Sequence, residues 1–140
     1  MKKAIKFEVT YDHPIANVWK ALTDKEAMSE WLMPCDMEPV VGHKFQFRTK
    51  PYPGFDGIVN CEVLTVDEPK LLAFSWSGGS LENTRVTFRL EAQGEKTKLH
   101  FEHGGFDGLL NKLIVRRILA AGWKKKILAV QLPKYLKHNQ

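Results

Sequence analysis

The stretch NVWKALTDKEAMSEWLMP, residues 17–34, decides how the chain is read. Together with Ile15, its Val18, Trp19 and Leu22 recur at helical spacing. Pro14 suits a first helical position, where a missing N–H is no loss. Thr23 and Glu26 carry the spacing of a capping box, so a second helix is expected to start at Thr23 or Asp24. It takes Ala27, Met28, Trp31 and Leu32 inward. It ends before Pro34, because the residue preceding a proline is pushed out of the helical region. Two short helices therefore meet at a tight corner.

Outward from this corner the period is two. On the N-terminal side Ile5, Phe7, Val9 and Tyr11 alternate with Lys6, Glu8 and Thr10, which predicts a half-buried strand ending at Asp12-His13-Pro14. On the other side Phe45 and Phe47 alternate with Lys44, Gln46 and Arg48. A turn-rich loop follows at 51–54, then a strand over 57–66 with Val59, Cys61 and Val63 on one face. Leu72, Phe74 and Trp76 mark the next strand, Val86, Phe88 and Leu90 the next, and Leu99, Phe101 and His103 the last. Short spacing and turn signals between them predict an antiparallel meander with one apolar face.

After Gly104-Gly105 the helical period returns, with Asp107 placed to cap it. Leu109, Leu110, Leu113 and Ile114 open this segment. Trp123, Ile127 and Val130 continue one stripe, with Leu128, Leu132 and Tyr135 beside it. Gly122 marks either a hinge between two helices or a close approach of another element. Pro133 is expected to kink the final turns.

A length of 140 residues suits one domain over 1–140. The 44% hydrophobic and 26% charged fractions are those of an ordinary soluble protein. The net charge of +5 attracts anions in principle, but its plain reading is a solvated basic surface. Cys35 and Cys61 match no metal or redox spacing and read as reduced thiols in a cytoplasmic protein. The opening MKKAIKFEV lacks the apolar core of a signal peptide. No stretch approaches the ~20 apolar residues of a membrane span, so stable insertion is not expected.

These pieces together carry a resemblance. They are VWKALTD at 18–24, EWLMP at 30–34, Gly42 with Phe45, Gly57, DEPKLLAFSW at 67–76, TRVTFRLE at 84–91, TKLHFEHGGF at 97–106, and GWKKKILAVQLPKYL from Gly122. In this order the chain resembles the family of homologues of the activator of heat-shock-protein-90 ATPase, within the START-like, birch-pollen-allergen-like superfamily (SRPBCC). The resemblance implies an α+β helix-grip fold. In it a curved antiparallel β-sheet wraps a long C-terminal α-helix, with two short helices after the first strand. It also implies a cavity between sheet and helix that can hold an apolar ligand. The Leu-, Ile- and Arg-rich stretch 108–121 departs from the common pattern and is expected to reshape the cavity mouth.

The candidate cavity residues are Trp31, Phe45, Phe47, Phe74, Trp76, Phe88, Phe101, His103, Trp123 and Ile127. Each aromatic taken alone reads as core filler, because aromatics dominate cores. As a set on one curved face they can also line a pocket, with Tyr52 and Tyr135 at its mouth. His103 shares the phase of Leu99 and Phe101. Its plain reading is a histidine satisfied by neighbours, and its functional one a ligand anchor or base. His100 falls out of phase, on the wet side.

Arg116, Arg117, Lys124, Lys125 and Lys126 read as a solvated basic face. No nucleic-acid motif accompanies them, and nucleic acid is not expected as a partner. No catalytic residues, metal ligands or cofactor are expected. The leading expectation is a binding protein for an apolar or aromatic small molecule or lipid. A co-chaperone-like module with a protein partner is one alternative. A cyclase- or dehydratase-like enzyme using His103, Tyr11 and Arg85 is the other.

Overall fold

The computed structural model describes residues 3–51, 53, 55–79, 81–106 and 119–138. The expectations at Tyr52, Asp107, the apolar run 109–114, Arg116, Arg117 and most of the stretch 108–121 lie outside the described residues. So do the side chains of Lys125 and Lys126.

The alternating segments form strands β1 (Lys3–Tyr11), β2 (Lys44–Arg48), β3 (Ile58–Asp67), β4 (Leu71–Gly78), β5 (Leu81–Gln93) and β6 (Lys96–Phe106). They make a six-stranded, curved antiparallel sheet in the order β1-β6-β5-β4-β3-β2. Antiparallel register sets paired side chains on one face, so Phe7, Phe101, Phe88 and Leu72 form a row across four strands. Their neighbours Glu8, His100 and Arg89 form a polar row on the other face.

The HGGF corner contains a bulge. Ile5 pairs with His103 and Lys3 with Phe106, so Gly104 and Gly105 together stand opposite Ala4. Gly105 has φ +89°, a region L side chains rarely adopt, which is why glycine stands there. The extra residue shifts the alternation. His103 and Phe106 therefore both turn inward, with ring centroids 4.8 Å apart.

Helices α1 (Ile15–Thr23) and α2 (Lys25–Trp31) make the expected corner, with a different cap. Pro14 sits one place earlier than predicted, as the N-cap of α1. Thr23 ends α1 and donates back to the Trp19 carbonyl at 2.9 Å, which turns its hydroxyl into α1 and not towards α2. Asp24 does so instead, accepting from the Ala27 N–H at 3.2 Å.

The C-terminal segment is helical at 119–121, a π-helix over Gly122–Gln131, then α3 (Leu132–His138). Hydrogen bonding to the fifth residue moves the inward stripe by one position. The buried residues are Trp123, Leu128, Leu132 and Leu136. The predicted stripe is corrected accordingly: Ile127 is only half-buried and Val130 is 57% exposed. Pro133 lies within the second position of α3, and the helix runs on through it. At Gly122 an added Cβ would meet nothing within 4 Å, so no described element approaches closely there.

Candidate functional site

The inner face of the sheet is a floor of rings. Phe45, Phe47 and Phe74 meet at centroid distances of 5.3, 5.4 and 6.0 Å. Trp76 joins Phe47 at 5.6 Å, and Phe88 joins Phe74 at 6.0 Å and Phe101 at 5.3 Å. Trp123 descends from the π-helix onto this floor, 4.6 Å from Phe101, 5.6 Å from Trp76 and 6.2 Å from Phe88. Their mostly tilted or edge-on angles suit aromatic quadrupoles.

The structure thus brings together Phe45, Phe47, Phe74, Trp76, Phe88, Phe101, His103 and Trp123. Trp31 belongs to the same buried core. Its indole N–H donates to the Ala21 carbonyl at 2.8 Å inside the α1–α2 corner. Ile127 reaches the core only from its margin.

One polar row crosses this floor. The Trp123 indole N–H donates to His103 Nδ1 at 3.3 Å, and His103 Nε2 lies 2.9 Å from Thr84 Oγ1. Thr84 in turn donates to the Trp76 carbonyl at 2.7 Å. An indole can only donate, so Nδ1 accepts and the proton of the neutral ring sits on Nε2. All the polar hydrogens of the row then point one way. Burial pulls the His103 pKa down to about 3, so the ring is uncharged at neutral pH. Thr84 and Phe106 were not singled out from the sequence. Thr84 shares the phase of Val86 and Phe88, which is the signal that reveals it, whereas Phe106 turns inward only through the bulge.

The other polar candidates are engaged elsewhere. The Tyr11 hydroxyl is buried and donates to the Leu128 carbonyl at 2.9 Å. Arg85 points to the outer face, 3.5 Å from Thr65 Oγ1. His100 also lies there, between Glu8 at 3.0 Å and Glu91 at 3.2 Å. Cys35 and Cys61 are free thiols, and burial pushes both pKa values up, so neither is an activated nucleophile. Among the described residues no group of His, Cys, Asp and Glu is placed to hold a metal, and no helix is long and apolar enough to cross a membrane.

Hollows lined by described residues open on the outer face of the sheet, reaching the strand positions of Phe7 and Phe101, and beside α2. One of about 470 Å³ lies on the outer face among Lys6, Glu8, Arg89, His100 and Glu102. The other, about 300 Å³, lies between Glu30 and the C-terminal residues Gln131, Lys134, Tyr135 and His138. Tyr135 therefore lines a surface hollow beside α2.

The family model for "Activator of Hsp90 ATPase homolog 1-like protein" matches residues 12–137. The chain belongs to this family. Within it, the sheet, the early helices and the C-terminal helical segment recur in solved structures. Protein MLL2253 from Mesorhizobium loti is 27% identical, with 99% of each chain covered and a TM-score of 0.86. Protein BH1534 from Bacillus halodurans is 26% identical, with 96% of each chain covered and a TM-score of 0.79. CalU16 from Micromonospora echinospora, 20% identical with 99% of this chain and 77% of that one covered, shares the fold at a TM-score of 0.77. No curated protein matches the chain.

Proposed function

We propose that this family member is a binding protein for a planar, mostly apolar molecule, taken between the inner face of the sheet and the C-terminal helical segment. The observation that carries this reading is the contact between Trp123 and His103. At 3.3 Å it is the longest hydrogen bond of the buried row, and it joins the helical segment to the sheet. Parting it exposes one donor, the indole N–H, and one acceptor, Nδ1, in an otherwise apolar bed of rings. That is the composition of a small-molecule site: apolar walls and a few placed polar groups. The π-helix supports the same reading, because π-helical turns are frequent at functional sites. With one or two polar anchors, affinity is expected on the order of micromolar.

Binding is favoured over catalysis because the candidate catalytic groups are already committed. Tyr11 is bonded to the backbone, His103 uses both nitrogens, and Arg85 faces outward. A protein-binding role is the second reading. It is favoured by Val40 and Val41, each 61% exposed on the corner before β2.

The test is chemical-shift mapping of a lipid and planar-aromatic library. Trp76, Phe101, His103 and Trp123 are expected to move together. The Trp31 indole, tied to Ala21, is expected to stay. A library that leaves the four unmoved removes the ligand-binding reading, and the protein-binding reading then leads.

A further inference from the structure

The two edges of the sheet are unlike. At β2 the chain covers its own edge. Cys35 bridges to Phe47, the Arg48 N–H donates to the Pro34 carbonyl at 3.0 Å, and the Gln46 N–H donates to Asp36 Oδ1 at 3.0 Å. At the opposite edge β1 pairs with β6 alone, and no described residue hydrogen-bonds to its free side.

This edge, open among the described residues, is nine residues long, has no proline, and carries its one register irregularity at the start, between Lys3 and Ile5. The free N–H and C=O groups of an edge strand are a template for another strand, and on β1 the bulge near Lys3 and the charge of Lys6 restrict which strand can add. Phe7 and Val9 are half-buried along it, packed against the core yet partly open to solvent.

We propose that two copies of this chain associate through β1, antiparallel about a two-fold axis at Phe7, so that the two sheets become one. Charge selects this register. With the axis at Phe7, Lys6 lies opposite Glu8 of the partner subunit, and symmetry repeats the pair. An axis at Lys6 or at Glu8 would instead set like charges opposite each other, which is unfavourable. Lys6 makes no ion pair among the described residues, so it is available. The backbone agrees: about an axis on one residue, paired residues share parity, and outward-facing groups meet outward-facing groups. On the inner face Phe7 meets Phe7 of the partner subunit, which covers a half-buried apolar side chain, and the half-buried Val9 lies beside the already buried Ile5 of the partner subunit. The interface is isologous, as two-fold dimers require. A single strand pair is a small interface, so the association is concentration-dependent rather than permanent.

Sedimentation velocity over a concentration series tests this, with hydrogen exchange reporting on β1. The wild-type chain is expected to pass from monomer to dimer, and β1 amides are expected to gain protection as it does. Lys6→Glu is expected to weaken the dimer about ten-fold or more, and Glu8→Lys to do the same. The double swap Lys6→Glu with Glu8→Lys restores opposite charges and is expected to recover the dimer. Lys6→Glu is the cleaner arm, since Glu8 also holds Lys98 and His100 within the chain. A wild-type chain that stays monomeric to about 1 mM overturns the proposal. So does a dimer indifferent to both single changes, or a double swap that fails to recover it.

Discussion

The phenol of Tyr11 donates to the carbonyl of Leu128 at 2.9 Å, joining residues 117 positions apart. The bond answers a vacancy created by Pro133. In the π-helix the Leu132 N–H reaches back five residues to the Ile127 carbonyl. The next donor in that series would be residue 133, directed at Leu128, and proline has none. The Leu128 carbonyl is thus left for a side chain, and the first strand supplies one. Burial raises the pKa of the Tyr11 phenol far above its ordinary value, so the donor hydrogen is always present.

Tyr11→Phe strands this buried carbonyl and is expected to cost about 1–3 kcal/mol in urea denaturation. Pro133→Ala supplies an N–H to the same region. In that background Tyr11→Phe should cost clearly less. Equal losses in both backgrounds would separate the phenol from the proline.

The stability of the chain should fall on mild acidification through His103. The folded ring binds its proton near pH 3, against about 6.5 when unfolded. Between those values the unfolded state holds more protons, so lowering the pH favours unfolding. Above about 6.5 both states are neutral and the dependence vanishes. The loss at pH 5 is expected to be about 2 kcal/mol. His103→Leu lowers stability at every pH, but its difference from wild type should shrink between pH 6.5 and 4. A difference that stays level would mean the buried ring is charged.

The phase of the C-terminal stripe can be read by truncation. Trp123→Ala is expected to cost roughly 3–5 kcal/mol and Leu128→Ala about 2–5 kcal/mol. Val130→Ala should stay within about 0.5 kcal/mol. An Ile127→Ala loss exceeding that of Leu128→Ala would restore plain α-helical phase.

Chelator treatment is expected to leave Tm unchanged, because no described cluster can hold a metal. A fall of several degrees would reveal a site in the remaining residues.

Much of this was legible in the sequence, and the parts that were not have one cause in common. Period two placed Phe74, Phe88 and Phe101 on one face, because alternation in a regular strand is fixed geometry. It failed at Phe106, where the Gly104–Gly105 bulge adds one residue to the count. The helical period likewise placed Trp123 inward but sent Ile127 and Val130 after it. The π-helix makes a step of five, and no single residue announces that. Thr23 and Asp24 could each cap α2. The choice turned on the Trp19 carbonyl, a partner the capping pattern does not consider. Helical spacing placed Trp31 inward on α2, as it is, but could not show that its indole N–H is held by the Ala21 carbonyl. Local periodicity was readable wherever the backbone stayed regular. Irregular positions depended on hydrogen-bond partners distant in sequence.

The covered edge at β2 decides how far strand addition can proceed. A sheet open on both sides can recruit copies without end, which is the geometry of a fibre. Here the segment at 34–36 occupies one side permanently. Growth that begins at β1 therefore uses the one sheet edge left open among the described residues, and terminates there. Only a change that frees the whole 34–36 segment from β2, undoing its contacts with Gln46, Phe47 and Arg48 together, would give the pair a second edge to grow from.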